Sequence, residues 1–444
     1  MLSLIAYAMV ATFMTLIMTK RMAAMVALVI IPIVFALFAS AVVGNFGLAD
    51  LGPMMLDGVK ELAPTGVMLI FAILYFGLMI DVGLFDPMVA AIVKIVHGDP
   101  VRILVGTAIL ALTVSLDGDG TTTYMITTAA MLPLYRHMKL DVRMLACIVV
   151  MSGAVMNVLP WGGPTARVMG TLRLDAADVF VPLIPAMAAT AAWVIFVAYR
   201  FGCKERDRLA LLPADAIDEN ASAQEIIAES DSDYLETRRP KLFVFNLVLT
   251  LGLLVSLISG AFPSAVLFIV FFAIALSVNF PNLEQQRQRV SDHAGNALSV
   301  AGLVFAAGIF TGILSGTKMV DAMSASVIAA IPEAWGPYMG PITGAISAPF
   351  TFFISNDAFY FGMLPILAEA GSHYGLTAAE IGRASLIGQQ IHLLSPLVPS
   401  SYLLAGFVGV DFGEFQRFTL KWACGSFLVF FAATFLFGIV PFVS

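Results

Sequence analysis

The stretch Ser115-Leu116-Asp117-Gly118-Asp119-Gly120-Thr121-Thr122-Thr123 lies between two apolar runs, 103–114 and 124–134. In a soluble loop, Asp-Gly-Asp-Gly is an ordinary tight turn. Here the flanks place two carboxylates, two glycines and three hydroxyls at bilayer depth. A carboxylate there costs about 3 kcal/mol on insertion scales. Such a cluster persists only where it lines a wet cavity, an ion site or a substrate path. A calcium loop of the EF-hand type is excluded by spacing, since its sixth and twelfth positions are Gly and Glu. Counting from Asp117, those positions hold Thr122 and Thr128. A second polar interruption, Ser355-Asn356-Asp357, sits in the corresponding place in the second half. Paired breaks of this kind mark the binding site of a secondary transporter.

Composition agrees. Hydrophobic residues make up 60% of the 444 and charged residues 12%, about half the charge of a soluble domain, and mean hydropathy is +0.94. The net charge of −7 resides mostly in loops. Three scattered cysteines, Cys147, Cys203 and Cys424, form neither a disulfide frame nor a zinc pattern. The first apolar run, 4–18, is followed by Lys20-Arg21 and has no small-residue cleavage pattern, so it reads as a span.

Full spans are expected at 4–18, 22–43, 66–84, 143–171, 179–199, 242–260, 264–278, 297–314, 378–410 and 418–442. Basic loops mark the cytoplasmic side. Lys20-Arg21, Lys94 to Arg102, Arg136 to Lys139, Arg200 to Arg208, Arg238 to Lys241 and Arg287 to Arg289 share one face only if 101–135 is a re-entrant hairpin. By the same count 341–367 dips in from outside. Acidic loops at 50–61, 175–178 and 321–333 then fall outside, as does the N-terminus. The charged stretch 201–241 reads as a flexible cytoplasmic linker.

The halves match at an offset of about 235 residues. Met131-Leu132-Pro133 falls on Met363-Leu364-Pro365, while Leu140, Pro160, Gly170 and Asp175 fall on Leu376, Pro396, Gly406 and Asp411. Five spans plus a hairpin per half is an odd count. The chain is therefore expected to be an all-α polytopic membrane protein with an inverted repeat, 1–200 and 242–444, and its site at the midplane.

Two spans must unwind. In 143–171 the run Met156-Asn157-Val158-Leu159-Pro160-Trp161-Gly162-Gly163-Pro164-Thr165-Ala166-Arg167 carries two prolines and two glycines within five residues, more than a simple kink needs. Arg167 either clamps a carboxylate bidentately or sits at the outer interface with its stem buried. In 378–410 the corresponding run is His392-Leu393-Leu394-Ser395-Pro396-Leu397-Val398-Pro399-Ser400-Ser401. His392 is the only histidine inside an expected span. It is either a satisfied structural residue or a proton carrier. Asp81, near the end of the third span, is a further candidate.

With these elements in place the chain resembles the citrate–metal:proton symporter family (CitMHS), within the ion-transporter superfamily that also holds the divalent-anion/sodium symporters. The likeness covers nearly the whole chain. It is most specific at 71–87 (FAILYFGLMIDVGLFDP), 115–133 (SLDGDGTTTYMITTAAMLP) and 157–169 (NVLPWGGPTARVM). The resemblance implies an elevator-type homodimer. Its transport unit, 101–199 and 341–444, would move against a scaffold made of the remainder. Sodium-coupled relatives carry Ser-Asn-Thr at both tips. The tips here, Ser355-Asn356-Asp357 and Asp117-Gly118-Asp119-Gly120-Thr121, favour a proton or a metal-bound substrate over sodium.

The expected activity is uptake of citrate, or a related di- or tricarboxylate, as a complex with Mg²⁺ or Ca²⁺, by proton symport across the cell inner (plasma) membrane. Complexation lowers substrate charge, which fits the shortage of buried Lys and Arg. No resident cofactor and no nucleic-acid partner are expected. The alternative is a sodium-coupled di- or tricarboxylate symporter. Substrate is expected to be lined by Asp117, Gly118, Asp119, Gly120, Thr121 and Thr122 at the first tip and by Asn157, Pro160, Gly162, Gly163 and Thr165 at the first break. The second tip adds Ser355, Asn356 and Asp357, and the second break Ser395, Pro396, Ser400 and Ser401. Asp117 and Asp119 would meet the metal carried by the substrate, and Asp119, Asp357 or His392 the coupling proton. An intramembrane aspartyl protease, to which Gly118-Asp119 is similar, needs a second aspartate about 3 Å away; no companion motif is present, so an enzyme is not expected.

Overall fold

Apolar runs with few charges leave the backbone no partners but its own, and all regular structure among the described residues is helical. The computed structural model describes residues 1–444 except 20, 45, 88–89, 92–98, 119, 212–236, 260, 331, 354–355 and 396–397. For residues 14, 17, 18, 24, 117, 121, 122, 258, 296, 324, 327, 328, 330, 333 and 399 it describes the backbone alone. In the first half the helices are α1 (Leu2–Met18), α2 (Ala24–Val43), α3 (Leu48–Asp81), α4 (Pro100–Val114), α5 (Gly120–His137), α6 (Val142–Met156), α7 (Gly163–Leu172) and α8 (Ile184–Ala210). In the second half they are α9 (Phe243–Ser259), α10 (Ser264–Asn279), α11 (Leu283–Gly316), α12 (Met319–Ala330), α13 (Met339–Phe353), α14 (Leu364–His373), α15 (Ala378–Ser385), α16 (Pro399–Val408) and α17 (Phe412–Leu436). Six segments among the described residues are long and apolar enough to cross a membrane: Met25–Val43, Leu48–Asp81, Ala176–Ala210, Pro240–Leu257, Ala297–Gly316 and Phe412–Leu436.

The longest packing contact joins α3 and α11. Each has 34 residues, about 51 Å at helical rise, against a hydrocarbon core of about 30 Å. They run antiparallel, with Gly58 against Gly308 and Gly312, Gly66 against Phe305, and Gly77 against His293. A Cβ on Gly58 would lie 2.0 Å from the Gly308 carbonyl oxygen. The backbones touch there, as small residues permit between membrane helices.

Both helices are longer than the sequence indicates. Residues 50–61, read as an outside loop, are the start of α3, and Leu51, Gly58 and Leu62 are buried. Arg289, read as part of a loop, lies in the polar start of α11. There it meets Asp81, whose Oδ2 is 2.9 Å from His293 Nε2 and 3.3 Å from Arg289 Nη1. Tertiary pairing thus satisfies charges that a hydropathy window counts against a helix. Similarly, α8 continues about three turns past residue 199, burying Phe201, Gly202, Glu205 and Leu209. Residues 212–236 of the linker lie outside the described residues. Its return is pinned to the end of α3, where Thr237 Oγ1 donates to the Asp81 carbonyl (3.0 Å) and the Arg239 N–H to the Val82 carbonyl (3.0 Å).

The chain doubles back twice. Helices α4 and α5 form a hairpin whose arms are tied by Thr107 Oγ1 and Tyr135 Oη, 3.2 Å apart. Helices α13 and α14 form the other, with Phe350 stacked on Phe359 near its turn (6.2 Å) and Gly336 against Tyr374 at its base. On α9 the exposed side chains Val244, Val248, Leu251 and Val255 recur at helical spacing. Nothing among the described residues covers that stripe.

Candidate functional site

Helix α6 ends at Met156 with Asn157 as its C-cap, and α7 starts at Gly163 after Gly162 as N-cap. Pro164 occupies the first turn of α7, where a missing N–H costs nothing. Gly162 is required: a Cβ there would sit 2.3 Å from the Asn157 carbonyl oxygen. The break frees carbonyls, and the buried Thr165 hydroxyl donates to one of them, Val158 O, at 2.8 Å. Pro160 is buried within the turn.

The second break is built alike. Helix α15 runs on through Leu386–Gly388 and Gln389–His392, and the chain re-enters helix at Pro399. The Ser401 hydroxyl donates to the Leu393 carbonyl. Two further groups tie this break to the second hairpin: Ser395 Oγ donates to Phe352 O at 2.6 Å, and His392 Nδ1 lies 2.6 Å from Thr351 O. A carbonyl only accepts, so His392 carries its hydrogen on Nδ1 in this contact.

The first tip turns at Gly118, with φ of 77°. A Cβ on Gly118 would lie 2.6 Å from Trp161 Cδ1, and Trp161 Nε1 donates to Leu116 O at 2.9 Å. The tip thus closes onto the first break. Trp161 also stacks on Phe76 (4.8 Å) and meets Phe268 edge-on (5.4 Å), reaching α3 and α10. On its other side the tip approaches the second break, for a Cβ on Gly120 would be 3.7 Å from Ser400 Oγ.

The second tip reaches across to the first break. Arg167 Nε donates to Asp357 Oδ1 at 2.6 Å, and its Nη1 to Gly163 O at 2.9 Å. Both side chains are mostly shielded, 19% and 16% exposed, so the contact is a strong charge-assisted one. Gln389, fully buried, joins three elements. Its Oε1 accepts from Asn157 Nδ2 (3.2 Å), and its Nε2 donates to Asn356 Oδ1 (3.1 Å) and Tyr360 Oη (2.8 Å).

The structure therefore gathers Gly118, Gly120, Asn157, Pro160, Gly162, Gly163, Thr165, Arg167, Asn356, Asp357, His392, Ser395, Ser400 and Ser401 around two breaks and two tips. Asp119, Ser355 and Pro396 lie outside the described residues, as do the side chains of Asp117, Thr121 and Thr122. Asp81 is elsewhere, paired at the α3–α11 contact. Gln389, Tyr360 and the ring of Trp161 were not singled out as site residues. A glutamine pair beside His392 in an apolar span was the available signal. Among the described residues, no three His, Cys, Asp or Glu side chains gather to hold a metal.

A cavity of about 390 Å³ opens at the start of α6 and α17, lined by Arg143, Asp411, Gly413, Glu414, Arg417 and Phe418. Arg143 bridges Asp141 and Glu414, each at 2.7 Å. Burial raises the Asp141 carboxyl, but hydrogen bonds and charge from Arg143 outweigh it and hold the group below the usual carboxylate range. This cavity presents both signs of charge, with Arg143 and Glu414 already joined in an ion pair. At the junction of breaks and tips, in contrast, the half-buried amides of Asn157 and Asn356 each keep one end without a partner among the described residues, which suits a small polar ligand.

Two solved structures share this fold, and both are of transporters. MtrF of Neisseria gonorrhoeae, from a class of antimetabolite efflux pumps, superposes with a TM-score of 0.63 at 15% identity, covering 93% of this chain and 94% of its own. The YdaH transporter of Alcanivorax borkumensis gives 0.54 at 12% identity over 88% of each chain. At such identities the likeness concerns the fold alone. Sequence reaches further. A citrate transporter of Bacillus subtilis (strain 168) is 57% identical over 442 residues, covering 100% of both chains. The Mg(2+)/citrate complex secondary transporter of the same strain is 48% identical over 440 residues, 99% of each. Residues 2–388 match the CitMHS citrate transporter family. The breaks and tips thus belong to a multi-pass membrane transporter, not an enzyme, and the chain is a member of the citrate transporter family.

Proposed function

We propose that the chain takes up citrate as a divalent metal complex, Mg²⁺ or Ca²⁺, by proton symport across the cell inner membrane. The observation that carries this reading is the Arg167–Asp357 pair, which joins the first break to the second tip. A guanidinium at this depth is suited to a substrate carboxylate, and Asp357 already occupies it. Proton uptake by Asp357 releases Arg167 to the incoming carboxylate, and proton loss recaptures it when the carboxylate leaves. Proton and substrate therefore travel together. The 48% identical relative is named for the Mg(2+)/citrate complex, which supports the metal-bound form as cargo.

The order of elements, hairpin then broken helix, recurs in both halves and supports an inverted repeat. In this reading 101–199 and 341–444 move as the transport unit against a scaffold built on α3 and α11. The exposed stripe on α9 supports burial in lipid or against a second copy in a homodimer. The test is uptake of labelled citrate into proteoliposomes under an imposed proton gradient. Expected are accumulation that needs a divalent cation, collapse on chelation, and indifference to sodium. Asp357→Asn should abolish gradient-driven accumulation while sparing exchange. Uptake that ignores chelation and requires sodium overturns the reading.

A further inference from the structure

Amide side chains offer a donor at one end and an acceptor at the other, and which end faces a ligand decides what the ligand can be. In this site the choice is dictated from outside it. The Tyr360 hydroxyl donates its single hydrogen to the Ser385 carbonyl at 3.3 Å. Its oxygen can then only accept, and it accepts from Gln389 Nε2 at 2.8 Å. The second hydrogen of that amide nitrogen goes to Asn356 Oδ1 at 3.1 Å, and Gln389 Oε1 takes the Asn157 amide at 3.2 Å. Tyr360, Ser385 and Gln389 are all fully buried, so bulk water cannot substitute for any link.

The consequence is opposite polarity at two half-buried asparagines. Asn356 turns its carbonyl inward and is left with its NH₂ to offer. Asn157 turns its NH₂ inward and is left with its carbonyl. Among the described residues neither free end has a partner. A carbonyl oxygen is a ligand for a hard divalent cation, and an amide NH₂ donates to a carboxylate. We infer that Gln389, oriented by Tyr360 and the Ser385 carbonyl, is a positioning residue that sets one asparagine for the metal and the other for the carboxylate of a metal–carboxylate complex. This selects the complex over the bare acid. The inference rests on the metal–citrate reading above.

The test is titration of purified full-length wild type, Gln389→Glu and Tyr360→Phe with Mg²⁺–citrate, and with citrate under chelation, across a pH series. An ionised carboxyl at 389 only accepts, so Asn356 must turn its NH₂ inward and present an acceptor. Loss of a donor to a charged group should weaken Mg²⁺–citrate binding about tenfold or more at high pH. Binding should partly return as pH falls and the introduced carboxyl regains a hydrogen, narrowing the gap to wild type beyond the gain that protonation of Asp357 gives both proteins. Tyr360→Phe removes one oxygen and lets the amide reverse, so the preference for complexed over free citrate should drop several-fold, alongside the modest fall in thermal stability expected when the Ser385 carbonyl loses this donor. Gln389→Glu binding within twofold of wild type, or a loss that ignores pH, overturns the inference. Should that variant fail to fold, an unchanged preference in Tyr360→Phe overturns it instead. Wild type that binds no Mg²⁺–citrate overturns the functional reading, a result distinct from wild type binding while the variants match it.

Discussion

The two breaks, after Met156 and after His392, are closed by the same device, a hydroxyl of the following helix donating to a carbonyl freed at the break. Around that shared frame they differ in chemistry. The first carries an indole wedged against α3 and α10 and a guanidinium that reaches the opposite tip. The second carries neutral groups: His392 and Ser395 turn to its own hairpin, and Gln389 joins that hairpin to Asn157 of the first break. One break supplies charge and a grip on the rest of the molecule; the other supplies polarity and a rigid link to the tip beside it. A gap in a helix is thus a neutral frame, and its neighbours decide its use.

Removing the charge from the first break should have the largest effect. Arg167→Ala leaves Asp357 shielded and unpaired, at a cost of about 3–5 kcal/mol, and should abolish uptake in proteoliposomes. Arg167→Ala combined with Asp357→Asn should recover thermal stability without recovering uptake. Recovery of both would reduce the pair to a structural link.

Trp161→Ala comes next, because it deletes a large buried ring and the hydrogen bond to Leu116. Truncations of this kind cost about 3–5 kcal/mol. The variant should unfold earlier on heating and transport slowly. Trp161→Phe should restore most stability but not the tip contact. A cysteine pair bridging the tip and the break would report whether that contact loosens.

Thr165→Val and Ser401→Ala test the shared frame directly. Each leaves a carbonyl without its donor, a loss of about 1–3 kcal/mol. Matched decreases in melting temperature would support equivalent breaks, and a large disparity would split them.

Acid should distinguish the helices that lead into the breaks by the smallest margin. The Asp141 carboxyl, held low by Arg143 against the raising effect of burial, stabilises the folded state above its unfolded pKa. That contribution is lost as pH falls below about 4 toward the folded value. Arg143→Met should flatten this part of the stability profile, read by thermal unfolding across a pH series.

Much of this arrangement was legible in the chain. Proline, glycine and aspartate inside apolar runs have few innocent uses, so the tips and breaks announce themselves at Gly118, Gly162 and Asp357. The partner of each group is less visible. Gln389 acts through Asn157, 232 residues away in sequence, and no local pattern encodes that meeting. The true lengths of α3 and α11 were hidden for a related reason. Asp81, Arg289 and His293 satisfy one another only once the helices lie side by side, so a window sliding along either one sees loops.

That side-by-side contact has a mechanical consequence. Where the Gly58 and Gly308 backbones touch, no side chain remains to act as a bearing. The two rods are effectively laminated, and neither can slip, bend or shorten alone. In a bilayer of different thickness, a laminated pair of about 51 Å must accommodate mismatch by tilting as a single beam. Lipid chain length then becomes a load applied to the whole molecule through one seam.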